Sequence, residues 1–141
     1  MIGTLRAWFR NGECKLDTTV ADDFVAGSPI GVSTTGYSLF KAGQAGKVFV
    51  GMAMNNKTEV SGALLTNMTV LEPPVLVELT EAVVGELFAS VTFAVGDTLY
   101  VTTAGTYSNV ATGNEEIGIV RGISPLLVKV TKWYYMKKEV R

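Results

Sequence analysis

The chain has no histidine. That removes the commonest general base, the Ser-His and Cys-His dyads, and the usual zinc ligand set. It has a single cysteine, Cys14, so no disulfide can form within the chain, and nothing in it reads as a secreted disulfide scaffold. Without a histidine to activate its thiol, Cys14 reads as a small buried hydrophobe or an inert arm residue. Nowhere do the roughly 20 successive apolar residues of a transmembrane helix occur. The opening MIGTLRAWFRNG has no apolar run behind a basic segment and does not read as a secretory signal. Charge is also scarce. Charged residues make up 18% of the chain against about 25% in an average soluble protein, and Lys and Arg are absent from residues 58–120.

The charge that is present is segregated. Residues 1–57 carry a net +2, residues 58–120 a net −8 and residues 121–141 a net +5. Two arrangements satisfy this pattern. The basic ends fold back over the acidic body of their own chain, or they meet acidic surface on neighbouring copies. Only one short C-terminal segment is strongly basic, which argues against a nucleic-acid interface.

What is abundant is glycine, with 15 residues, and it recurs in a pattern. Residues 24–36 read FVAGSPIGVSTTG and residues 93–105 read FAVGDTLYVTTAG. At one offset Phe24 matches Phe93, Gly27 matches Gly96, Ile30 matches Leu99, Val32 matches Val101, Thr34 matches Thr103 and Gly36 matches Gly105. A second echo follows, Gly46 and Gly51 recurring as Gly113 and Gly118. Turn glycines around alternating apolar residues specify a β-scaffold.

The length of 141 residues suits one domain with a real core. Residues 1–19 read as an N-terminal arm and residues 20–141 as a single β domain. In the arm Leu5, Trp8 and Phe9 interleave with Arg6 and Arg10 before the Asn11-Gly12 turn. It is either an ordinary first strand or an extension that docks on another subunit, where Trp and Arg are favoured anchors. In VFVGMA, Val48, Val50 and Met52 are expected on one face with Phe49 on the other, and Gly51 marks a bulge or a close backbone approach. Pro73-Pro74 interrupts a ladder, and Val75, Val77 and Leu79 then alternate as a half-buried strand. The segment TEAVVGELFASV, residues 80–91, is compatible with a short helix, a strand or a loop. The expected fold is all-β, a small barrel or sandwich of short strands on a glycine-turn repeat, with an extended N-terminal arm and at most one short helix.

Candidate chemistry is thin. Asp22-Asp23 and Glu115-Glu116 are adjacent carboxylates, which point to opposite faces of a strand and make no acid/base dyad. Asp97 suits a turn, and its repeat partner Ser28 would make the same local hydrogen bonds. The glycines lack the lysine and spacing of a phosphate cradle. Trp133, Tyr134 and Tyr135 beside Lys132, Lys137 and Lys138 either stack on a sugar or nucleobase, or cover a core edge or subunit interface. No catalytic residue, cofactor or metal is expected.

The segment AVGDTLYVTTAGTYSNVATGNEEIGIVRGIS, followed by LLVKV, resembles the head-decoration, or capsid cement, proteins of tailed bacteriophages. Those small β-proteins often carry a V-G-D-x-[VL]-Y … T … A-T-G … I-G-x-[VA] pattern. DFVAGSPIGVSTTG … VFVGMAMNN is similar to their N-terminal half, so the likeness spans roughly residues 20–131. It implies a non-enzymatic virion protein on the outer capsid surface, made in the host cytoplasm. Its partners would be the major capsid protein and further copies of itself, as a homotrimer, with no direct nucleic-acid or membrane contact. Leu5, Arg6, Trp8, Phe9 and Arg10 are then the expected capsid or neighbour contacts, with Trp133, Tyr134 and Tyr135 behind them. The competing expectations are a tail or head-fibre module and a carbohydrate-binding β-module using Trp133 and Tyr135.

Overall fold

Short β-branched and aromatic runs punctuated by glycine turns build ten strands and one helical turn in the computed structural model, which describes residues 9–61 and 67–132. The strands are β1 (Phe9–Lys15), β2 (Pro29–Ser33), β3 (Gly36–Leu39), β4 (Val48–Ala53), β5 (Asn67–Leu71), β6 (Val75–Leu79), β7 (Thr98–Val101), β8 (Tyr107–Ser108), β9 (Glu115–Ile123) and β10 (Leu126–Val130). The helix α1 (Lys57–Ser61) lies between β4 and β5. Two antiparallel five-stranded sheets result, in the orders β1-β5-β4-β2-β3 and β6-β10-β9-β7-β8. The fold is all-β, with one short helix among the described residues.

The two orders are the same order. Adding five to each strand of the first sheet gives the second, so the chain is two lobes of one topology. The register carries the equivalence to single residues. Val32 faces Val48 and Tyr37, and Val101 faces Glu115 and Tyr107. Met52 stands between Pro29 and Leu71, and Ile119 between Thr98 and Lys129. Phe9 continues the first row as Leu76 continues the second. The parallel bridge from Leu16 to Tyr37 recurs as the bridge from Phe88 to Tyr107.

Both lobes bulge at the same place. The β2–β4 ladder slips between Ile30 and Gly31, the β7–β9 ladder between Leu99 and Tyr100, and the glycine facing the slip is Gly51 in one and Gly118 in the other. Each glycine is required by close approach. A Cβ on Gly51 would stand 2.3 Å from the Leu71 carbonyl oxygen, and one on Gly118 2.1 Å from that of Lys129. The bulge also corrects the expected facing of β4. The extra residue reverses the alternation, so Met52 shares a core with Phe49, while Val50 joins Ala53 in the other.

One matched pair shifts by a residue. Gly36 closes a two-residue hairpin opposite Ser33, whereas Thr102 pairs with Thr106 around a three-residue loop. Gly105 therefore lies inside the loop, and Gly36 has Thr106 as its register equivalent. Residues 80–91 form turns and one isolated bridge at Phe88 rather than a helix. Within the 1–19 arm, β1 pairs with β5 along the first sheet's edge. Residues 1–8 lie outside the described residues.

Two cores follow. The first lobe's interior holds Cys14, Leu16, Phe24, Ile30, Val50, Val60, Met68 and Val70. The second lobe's interior holds Leu79, Leu87, Leu99, Tyr107, Ile117, Val120 and Val128, and it also takes in Phe40, Phe49 and Met52 from the first lobe. The lobes are thus packed together through one face of the first sheet. Among the described residues, hydrogen bonds cross the seam at Tyr107 and at Ala42. The Tyr107 hydroxyl donates to the Gly27 carbonyl at 2.6 Å, and the Ala42 N–H donates to the Thr102 carbonyl at 2.9 Å.

Candidate functional site

The carboxylates are the obvious place to look for chemistry, and the fold uses most of them for itself. Asp97 accepts from the Ala94 N–H at 2.8 Å and from the Asn109 side-chain amide at 2.9 Å. Ser28, its repeat partner, accepts from the Val25 N–H at 3.0 Å, the same turn closed by a hydroxyl. The flanking backbone bonds also match, Gly27 to Ala53 and Gly96 to Val120. The expected equivalence of Ser28 and Asp97 holds for the turn they close, and the Asn109 bond is an addition at Asp97. The Asn109 amide and then the Ala94 N–H hold the Asp97 carboxyl below its usual range, as stabilised charge rather than a proton carrier.

Asp17 is buried and latches the end of β1 to the β2–β3 hairpin, accepting from the hydroxyls of Thr19 and Thr35. Those two bonds, Thr19 first, lower its pKa. Glu81 gathers the 80–88 loop by accepting from the N–H groups of Gly85, Leu87 and Phe88 at 3.3, 3.0 and 2.9 Å. Burial pushes the Glu81 carboxyl up, and the backbone bonds, Phe88 foremost, more than offset it, so the net shift is downward. A groove of about 480 Å³ runs beside this loop, lined by Glu81, Val84, Phe88, Ser90 and Phe93. Its one carboxylate is already committed to three backbone donors, which leaves the groove without a general acid or base.

Of the adjacent pairs only Glu115-Glu116 lies on a strand, and Asp22-Asp23 sits in the connection between β1 and β2. Asp22 forms an ion pair with Lys41 at 2.9 Å, and Asp23 accepts from the Phe24 N–H at 2.9 Å. Glu115 pairs with Lys132, while Glu116 is exposed on the opposite face of β9. This pair joins Lys132 to the acidic body of its own chain. Cys14 is fully buried in the first core, out of reach of a substrate. Among the described residues, no group of three or more His, Cys, Asp or Glu side chains could hold a metal ion.

The expected contact residues divide by position. Phe9 and Arg10 begin β1, opposite Leu71 and Val70. Leu5, Arg6, Trp8, Trp133, Tyr134 and Tyr135 lie outside the described residues. The sequence pattern does not single out a different exposed set, the apolar side chains on the outer face of the second sheet. Leu76 is 52% exposed, Val110 48% and Ile119 38%. Alternation announces that such a strand has two faces, but not which of them another surface covers.

No protein family matches the chain, and no curated protein and no solved structure matches it either.

Proposed function

We propose that this chain is a non-enzymatic structural protein that binds the outside of an assembled bacteriophage capsid and clamps neighbouring major capsid subunits. The observation that carries the reading is the pattern over residues 94–124, VGDTLY … IGIV, which resembles capsid cement proteins and coincides with the β7–β9 ribbon. Three residues of that pattern have scaffold tasks. Gly96 turns at positive φ, Asp97 closes the turn, and Gly118 admits the neighbouring strand. A duplicated β-scaffold that spends Asp17, Asp22, Glu81, Asp97 and Glu115 on turns, loops and ion pairs suits a protein that works by surface and copy number. Modest contacts repeated symmetrically over a shell add up by multivalency. The capsid and further copies of the chain, as a homotrimer, are the partners of this reading. Leu5, Arg6, Trp8, Phe9 and Arg10 supply anchors, with Trp133, Tyr134 and Tyr135 behind them.

The test is co-sedimentation of the purified protein with capsids stripped of it. Saturable binding at a fixed ratio to the major capsid protein, weakened by deleting residues 1–8, is the expected result. Failure to bind any expanded capsid overturns the proposal. Retention on a glycan array, lost in Trp133→Ala, would replace it with a carbohydrate-binding module.

A further inference from the structure

The lobes differ in what covers one matched phenylalanine. In the first lobe α1 closes over Phe24. The Lys57 N–H donates to the Phe24 carbonyl at 2.9 Å, the Lys57 ammonium donates to the carbonyls of Val20 and Asp22, and Val60 shares a core with Phe24. Phe24 is 3% exposed as a result. Where the first lobe has α1, the second has only Ser124-Pro125 between β9 and β10. Phe93, the repeat partner of Phe24, is left half-buried. Its ring meets Phe88 edge-on, centroids 5.9 Å apart, and both line the groove of about 480 Å³ beside Glu81. No donor among the described residues reaches the Phe93 carbonyl. The rim adds Val84, which is 94% exposed. The second lobe thus leaves open what the first lobe fills.

Charge narrows the choice of occupant. Glu81 lines the groove, Glu86 follows the lining Gly85, and residues 58–120 contain no Lys or Arg. A segment with apolar side chains next to lysines complements this surface, as Val60 and Lys57 of α1 complement the first lobe. Tyr135-Met136-Lys137-Lys138 is such a segment, and it lies beyond the described residues on the C-terminal side. The basic N-terminal residues instead lead into β1, at the edge of the other sheet.

The chain also leaves from a suitable place. The Lys132 N–H donates to the Ile117 carbonyl at 3.1 Å, and its ammonium pairs with Glu115. From there the register steps from Glu115 to Val101, to Tyr107 and to Phe88. Three strand spacings amount to about 15 Å. Extended backbone advances about 3.3 Å per residue, so Trp133 falls short of the groove, while Met136 to Lys138 stand about 13 to 20 Å past Lys132. Tethering makes the groove of the same chain the one met at the highest local concentration.

We infer that this groove is a docking site for the chain's own C-terminal segment, with Tyr135 and Met136 on Phe88 and Phe93, and Lys137 and Lys138 beside Glu81 and Glu86. The segment does for the second lobe what α1 does for the first. The inference goes beyond the proposed function and does not rest on it.

Disulfide trapping in the full chain tests it. Val84→Cys is combined with Met136→Cys and oxidised under native conditions. The control pairs Met136→Cys with Met54→Cys, an exposed position on the first lobe. Cys14 is fully buried and stays silent. The Val84–Met136 pair should close within one chain at least about tenfold faster than the control, because the docked segment holds the thiols together. Adding Lys137→Glu and Lys138→Glu should slow closure about tenfold, and Glu86→Lys on top of them should regain part of the rate. Closure no faster than the control overturns the inference, as does closure that the charge reversals leave unchanged. Disulfides between chains, with a yield that rises with concentration, overturn it in favour of exchange between copies.

Discussion

At the scale of single residues, the repeat places chemically different side chains in the same structural task. Ser28 and Asp97 close equivalent turns, but only Asp97 titrates. Asp97 and Asp17 both have lowered pKa values, so each binds a proton more weakly in the folded chain than in the unfolded one. Their contribution is therefore present above the ordinary aspartate pKa of about 4 and is lost as the pH falls through the folded values. Thermal melts between neutral pH and pH 2 should show an acid limb that Asp17→Asn and Asp97→Asn each flatten and that Ser28→Ala leaves in place. Tyr107 has the opposite sign. Complete burial raises its pKa well above the usual tyrosine value, so its contribution is whole below about pH 10 and is lost at higher pH. In absorbance titrations its phenolate should appear only together with unfolding. Tyr107→Phe should cost about 1–2 kcal/mol in urea denaturation, because the Gly27 carbonyl loses its donor at the lobe seam.

At the scale of elements, the bulged ribbons β2–β4 and β7–β9 position everything else. Their glycines are the sensitive points. Gly118→Ala should lower stability by about 1–3 kcal/mol or more, since the Lys129 carbonyl oxygen occupies the space of a Cβ and a ladder cannot yield as a flexible side chain does. Gly51→Ala should act alike through Leu71, and a pair of urea titrations compares them. These ribbons were legible beforehand, because periodic glycines and alternating valines are local signals. The facing of Met52 was not, since a bulge changes parity and its exact position depends on the partner strand. Strand β5 gave no clear signal either. It is completed by β1, more than fifty residues away, so its pairing is written in long-range contacts rather than local text. Helix α1 did carry a local mark. Asn56 stands before it, and Glu59 accepts from the Asn56 N–H at 3.1 Å, half of a capping box. As for the site, sequence alone pointed to the two ends of the chain, while the exposed set on β6 and β9 emerges only from the structure.

At the scale of the molecule, the two lobes share one core. Phe49 belongs to the first sheet by pairing and to the second lobe by packing. Phe49→Ala should cost about 3–5 kcal/mol, a full large-to-small core penalty, although the residue lies in the interior of neither sheet alone. Wild-type denaturation should show one transition by circular dichroism and by tyrosine fluorescence, and Phe49→Ala should pull the two probes apart as the lobes uncouple. The order of the strands bears on how the polypeptide is made. Every strand of the first sheet precedes every strand of the second, so the first lobe can close as soon as β5 leaves the ribosome. At that moment Phe40, Phe49 and Met52 have nothing to cover them. Until translation delivers the second half, the nascent chain presents a sticky aromatic plate to its surroundings, and the tempo of synthesis across β6 to β10 sets how long a chaperone must guard it.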